Sequence, residues 1–268
     1  MLERGTTASL ERSEIYTEKL GSKSGTPIII MHGWGQNLES MRGLGELLSK
    51  THPVYLMDLP GFGRSAEPRE DADTIAYAQM LKEFLGSNDL ARVHLLGHSF
   101  GGRVSIRFAS RYPEMVESVV LVNSGGLKRV LDTRSKLKSM RLKLLSRTCK
   151  VLDKVSGSNL YKDWFTPKFG SRDYLASQGV MRKVLIRAVN EDVSEDAGRI
   201  DCPVFLLWGE KDTETPLEMG ERFNSLIKDS KLTVLPGKDH FPFLGDGAHL
   251  CAHHILGFLK AFEVRSGG

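Results

Sequence analysis

The chain has little cysteine and no long apolar run, and both shortages narrow what it can be. Its three cysteines, Cys149, Cys202 and Cys251, are odd in number, far apart and without a CxxC pair. Neither a disulfide framework nor a cysteine-held zinc is therefore expected. Apolar stretches are only strand-sized, too short to cross a bilayer as a helix. Met1 to Thr17 is rich in Glu, Arg and Thr and lacks the apolar segment of a secretory signal, so a cytoplasmic, reducing location is the expectation. No internal repeat or low-complexity segment interrupts the sequence. What remains, 268 residues with 40% hydrophobic and 26% charged content, fits one domain of the large α/β kind with room for an insertion.

Short β-rich apolar runs alternate with helical patterns, the sign of βα units on a mostly parallel sheet. The runs place strands near Glu14 to Leu20, Pro27 to Met31, Pro53 to Asp58, Arg92 to Leu96, Glu117 to Val122, Val204 to Trp208 and Lys231 to Pro236. Helices are expected near Thr74 to Gly86, Gly101 to Tyr112, Pro216 to Ile227 and Ala248 to Phe262. Between Gly125 and Ile200 the periodicity is helical without a convincing strand, which predicts an insertion between two core strands.

The most informative motif is Gly97-His98-Ser99-Phe100-Gly101-Gly102, placed between an apolar strand and a helical stretch. A strand that turns this sharply into a helix needs glycines around the central residue, and it leaves the serine hydroxyl exposed at the sheet edge. Two later loops follow predicted strands: Trp208 to Pro216, carrying Asp212, and Pro236 to Pro242, carrying His240 next to Phe241. Loops at such strand ends line the ligand crevice of open α/β sheets. A serine hydroxyl needs an imidazole to take its proton, and the imidazole needs a carboxylate to fix its tautomer. Ser99, His240 and Asp212 supply these types in the chain order Ser, Asp, His. Asp58 belongs to a turn and Asp239 adjoins the histidine it would have to orient, so both are weaker candidates for the acid. Asn123 ends the strand after the elbow helix, and an amide cannot do that work fully.

His32-Gly33-Trp34-Gly35 follows the run Ile28 to Met31. It can present the Trp34 amide to an oxyanion opposite the amide of Phe100. Pocket-lining candidates are His32, Gly33, Trp34, Phe100, Arg103 and Phe241, whereas His94 and His98 read as structural. His249, His253 and His254 fall along one predicted helix without an acidic or thiolate partner, so no metal site is expected.

With His32-Gly33, Asp58-Leu59-Pro60-Gly61-Phe62-Gly63-Arg64-Ser65, the Ser99 elbow and the Asp212 and His240 loops in hand, the chain resembles the α/β-hydrolase superfamily over essentially its whole core. The resemblance implies Ser99 as nucleophile, His240 as general base and acid, Asp212 as its orienting carboxylate, and no cofactor or metal. It also implies core segments at 1–124 and 201–268 flanking a helical cap at 125–200. The expected activity is hydrolysis of carboxylic esters with small to medium acyl groups through an acyl-enzyme, the partner being a small-molecule ester. Two other readings stand beside it: carbon–carbon cleavage or elimination on a carboxylated substrate, with Arg103 and a basic cap as anion binders, and a slow-turnover ligand receptor of the same fold. Dehalogenase and epoxide-hydrolase readings fail because those relatives carry Asp where this chain has Ser99.

Charge is concentrated in one place. From Leu127 to Val155 ten cations face only Asp132 and Asp153, a local excess of eight, so with the whole chain at +4 the remainder is net −4. Leu137, Met140, Leu144, Val151 and Val155 recur there at helical spacing, and the expectation is that this face packs while a basic face meets solvent. That basic face could attract anionic substrates or associate weakly with an anionic surface. No aromatic interleaving or motif for nucleic acid accompanies it, so nucleic acid is not an expected partner.

Overall fold

The computed structural model describes residues 15–21, 24–68, 72–129, 133–169 and 171–266. Seven strands form one sheet: β1 Thr17–Leu20, β2 Ile28–Met31, β3 Val54–Met57, β4 Val93–His98, β5 Val116–Val122, β6 Val204–Gly209 and β7 Ser230–Leu235. Each falls on an apolar run read from the sequence, although Glu14 and the rest of the N-terminal stretch through residue 14 lie outside the described residues. The spatial order is β1-β3-β2-β4-β5-β6-β7, with β1 antiparallel to β3 and the other pairings parallel. Strands β2, β4 and β6 are buried at every position. Helices cover both faces of a parallel sheet, which is why these strands read as continuous apolar runs rather than alternating ones.

The chain leaves β2 toward one edge through β3 and returns to the other side at β4. Strand order therefore reverses between β2 and β4, and the carboxyl ends of these two strands flank the crevice such a reversal opens.

The flanking helices are α1 Arg42–Leu48, α2 Thr74–Ser87 and α3 Phe100–Arg111 before β5, with α9 Leu217–Leu226 and α10 Gly247–Ser266 after β6. Helix α1 is an addition to the helices expected from sequence. Its sequence RGLGELL carries two glycines that weaken helix propensity. Gly45 is there for packing, since a Cβ would come within 2.8 Å of the Leu56 side chain. Two cores lie on opposite faces of the sheet, one built on Leu95, Val104, Phe108, Trp208 and Phe223 and the other on Ile30, Leu44, Leu96, Leu207 and Ile255.

Between β5 and β6 the described chain is helical, with α4 Thr133–Ser156, a π-helical turn at Tyr161–Phe165, α5 Thr166–Phe169, α6 Arg172–Ala176, α7 Gly179–Asn190 and α8 Ser194–Gly198. Helix α7 buries Met181, Val184, Leu185 and Ala188. Met181 reaches the turn after β3, lying where a Cβ on Gly61 would have to go. Beyond α7, Arg107 of α3 pairs with Asp196 and lies 3.9 Å from Glu191, and Glu191 accepts the Thr74 amide at 3.1 Å. This polar knot fixes the end of the insertion to α2 and α3.

One expectation about the insertion is overturned. On α4 the stripe Leu137, Met140, Leu144, Val151 and Val155 is exposed, Val155 by 82%. The side that packs carries Leu142, Leu145, Ser146 and Cys149 instead. Periodicity locates a stripe correctly but not the direction it faces. The α4 helix has two flanks with apolar residues, and the one with Cys149 is the more buried.

Candidate functional site

Ser99 sits between β4 and α3 with φ 48° and ψ −105°. For a residue with a side chain this is strained backbone, worth about 1–3 kcal/mol, and it persists only where the surroundings enforce it. They do so here. A Cβ at Gly97 would lie 2.4 Å from the Gly101 carbonyl oxygen, and one at Gly101 would lie 2.4 Å from the Met31 carbonyl oxygen. Only glycine lets strand, turn and helix approach this closely. The Ser99 amide donates to the Val122 carbonyl, while its own carbonyl accepts from Gly125 at 3.1 Å, so β5 and its following loop hold the turn.

Asp212 and His240 arrive from the ends of β6 and β7. His240 Nδ1 and Asp212 Oδ2 lie 2.8 Å apart, and both residues are buried. Asp212 Oδ1 accepts the amides of Glu214 and Thr215 at 2.8 and 2.9 Å, and Oδ2 accepts the Thr215 hydroxyl at 2.7 Å. Burial works against the charged form of Asp212, but the bonds from His240 and Thr215 outweigh it and hold the carboxyl below its ordinary value. The carboxylate is thus anionic and fixed, as an orienting group must be.

Several residues outside the sequence-derived set assemble this arrangement. Asn123, with φ 44°, accepts the Gly209 amide and donates to the Asp239 carbonyl, both at 2.8 Å, so one side chain ties the ends of β5, β6 and the His240 loop together. Glu214 places Oε2 3.4 Å from His240 Nε2. Burial pushes the Asp173 carboxyl of α6 above its ordinary value, and the charge of His240 acts in the opposite direction. A local signal for Thr215 does exist: a small hydroxyl residue three positions after an aspartate at a strand end is a turn pattern. No local signal points to this role of Asn123.

The structural reading of His98 agrees with its surroundings. Its ring lies 4.8 Å from that of His240, Nε2 is 2.9 Å from the His240 carbonyl, and burial drives its pKa down to about 3. It is a neutral post behind the His240 loop.

Two pocket candidates fall elsewhere. His32 is fully buried, with Nδ1 2.7 Å from the Gly33 carbonyl and Nε2 accepting the Leu59 amide at 3.0 Å, so it latches the β2 loop to the turn after β3 and offers no surface to a ligand. Arg103 donates to the Ala188 carbonyl of α7 and packs beneath Gly125, joining the elbow helix to the insertion. Gly33 is buried against His98, leaving no room for a Cβ. Trp34 and Phe100 do meet at the crevice: their rings pack edge to face at 5.3 Å, and Trp34 packs likewise on Phe62 at 4.9 Å. Phe100 opens α3, where an amide has no intrahelical acceptor. Phe241 stays beside His240, its ring 5.0 Å away. His253 and His254, far from this edge, line a groove of about 710 Å³ with Phe258 and the starts of β6 and β7.

A strand order that reverses at β2 and β4, a strained serine at the β4 turn and a buried His–Asp pair on the loops after β6 and β7 make up an α/β-hydrolase fold. Residues 26–155, just under half of the chain, match the family described as alpha/beta hydrolase fold. It is 27% identical over 242 residues to lipase 1 of Psychrobacter immobilis, covering 86% of this chain and 75% of the relative. It is likewise 27% identical over 259 residues to pimeloyl-[acyl-carrier protein] methyl ester esterase of Chromobacterium violaceum, covering 90% of this chain and 98% of the relative. The structure of a thermophilic esterase from Thermogutta terrifontis superposes with a TM-score of 0.68 at 21% identity, covering 98% of this chain and 99% of that one.

Proposed function

We propose that this protein is a serine hydrolase of carboxylic esters with small to medium acyl groups. The observation that carries the reading is the buried 2.8 Å contact between His240 Nδ1 and Asp212 Oδ2 at the sheet edge where Ser99 is held in a strained turn. In the proposed cycle His240 takes the Ser99 proton as Oγ attacks the acyl carbon. The amides of Trp34 and Phe100 bind the oxyanion, and His240 returns the proton to the departing alcohol. Water, deprotonated by the same imidazole, then attacks the acyl carbon, and the imidazolium returns that proton to Ser99 Oγ as the acid leaves. Asp212 stays ionised and stabilises the transient imidazolium throughout. Loss of one oxyanion donor typically costs about 3–4 kcal/mol of transition-state stabilisation.

Residues 125–200 form the cap in this proposal, with α7 laying Met181 against Gly61, the neighbour of Phe62 in the turn after β3. A crevice walled by these residues suits short acyl groups. The carboxylated-substrate alternative relies on Arg103 and the basic cap; the Arg103 guanidinium is committed to Ala188, and the Glu214 carboxylate 3.4 Å from His240 favours a neutral substrate. A cytoplasmic setting belongs to the same proposal and is supported by three free thiols.

The test is a series of p-nitrophenyl esters of increasing acyl length, assayed with wild type and Ser99→Ala. Turnover should be greatest on short and medium acyl chains and vanish in the variant. Faster hydrolysis of emulsified long-chain triglyceride would overturn the acyl-size assignment, and stoichiometric acylation without turnover would favour the receptor alternative.

A further inference from the structure

We propose that helix α4 docks this protein onto an anionic lipid bilayer surface, with its exposed apolar stripe entering the headgroup boundary. At 3.6 residues per turn, Leu137, Met140, Leu144, Val151, Leu152 and Val155 fall within about 120° of arc. All six are exposed, by 49, 66, 67, 62, 48 and 82%. Arg141 and Thr148 share this arc, and six exposed apolar side chains on one side of a water-facing helix call for a partner.

The charge identifies which partner. Lys143, Arg147 and Lys154 lie along one border of the stripe, and Arg141 lies within its arc near the other, all exposed. The single acid of the helix, Asp153, is occupied: it accepts the Ser158 hydroxyl and the Leu160 amide at 2.6 Å and the Tyr161 amide at 2.9 Å. No carboxylate among the described residues pairs with these four cations. An apolar stripe edged by unneutralised Lys and Arg matches the layering of a bilayer boundary, where acyl chains lie beneath anionic headgroups and long cationic side chains can reach up to the phosphates. A second copy of this helix would bring like charges together on both borders, so the charge disfavours self-association. Just beyond α4, Trp164 is 42% exposed with Lys168 Nζ 5.3 Å from its ring, a pairing of aromatic and cation suited to the same boundary.

The inference does not depend on the ester-hydrolase reading, and its test does not use catalysis. The full chain is mixed with vesicles of phosphatidylcholine alone or of phosphatidylcholine with phosphatidylglycerol, and bound protein is measured by flotation. Binding should be confined to the anionic vesicles. Lys143→Gln with Arg147→Gln should weaken it about fivefold per cation removed. Leu144→Ser with Val151→Ser and Val155→Ser should abolish it while leaving circular dichroism, melting temperature and soluble-ester turnover unchanged. Equal binding to both vesicle types, or retention by the serine variant, would overturn the proposal. So would absence of vesicle binding together with a dimer in analytical ultracentrifugation that the serine variant dissolves.

Discussion

At the crevice edge of the sheet polar groups are buried and matched, whereas on α4 apolar groups are exposed beside Lys143, Arg147 and Lys154, which pair with no carboxylate among the described residues. Asp212, Thr215, Asn123, His98 and His240 form an interlocked set, and no buried side-chain nitrogen or oxygen among the described residues lacks a partner. Such a set holds one geometry, because each unmade bond would leave a buried polar group unsatisfied. Helix α4 shows the reverse arrangement, with Leu144 and Val155 in water and its one acid bound to its own turn. The first region is built to position atoms within the molecule. The second is built to meet something outside it.

Substitutions can set the two regions against each other. Ser99→Ala should lower kcat by at least about a thousandfold, since nucleophile loss removes the acyl-enzyme path, while the melting temperature stays near wild type. Asp212→Asn should cost roughly a hundred- to ten-thousandfold by releasing the tautomer of His240. Thr215→Val, which takes one hydrogen bond from that carboxylate, should cost about tenfold in kcat with little change in KM. Steady-state kinetics on one soluble ester checks all three, and a Thr215 variant with unchanged kcat would break the interlocked picture.

Stability should respond to pH through the buried histidines. Burial lowers His98 to about 3 and His94 to about 4 from an ordinary 6.5. The unfolded chain therefore takes up protons below pH 6.5 that the folded chain refuses, so stability falls as pH drops from 6.5 toward 4 and levels off near 3. The aggregate loss should be on the order of several kcal/mol, because each tenfold weakening of proton binding is worth about 1.4 kcal/mol. Melting temperatures between pH 7 and pH 4 read this directly, and a flat profile would contradict it. The smallest effect belongs to α4. Leu144→Glu should change unfolding free energy by no more than about 0.5 kcal/mol, while Cys149→Glu, on the packed side, should destabilise by several times that. Equal losses would erase the distinction between the two flanks.

The strands, and the three residues of the candidate site, are legible in the sequence because their signals are local. Ile28 to Met31 and Val204 to Trp208 read as buried strands from composition alone, and the glycines around Ser99 mark the elbow. What stays hidden depends on packing. Gly45 sits inside α1 because Leu56 leaves no room for a side chain, and a glycine pair in sequence reads as a break. His32 and Arg103 look available until the fold brings their partners, Leu59 and Ala188, to them from distant parts of the chain. The α4 stripe is visible as a period, but a period carries no information about which flank meets the core.

The central claim, that Ser99 is the nucleophile, is tested most directly by reaction with a fluorophosphonate followed by peptide mapping. The account predicts one adduct per chain, on the peptide containing Ser99. It also predicts almost none after His240→Ala and none after Ser99→Ala. An adduct on any other residue, or labelling that survives Ser99→Ala, would contradict it.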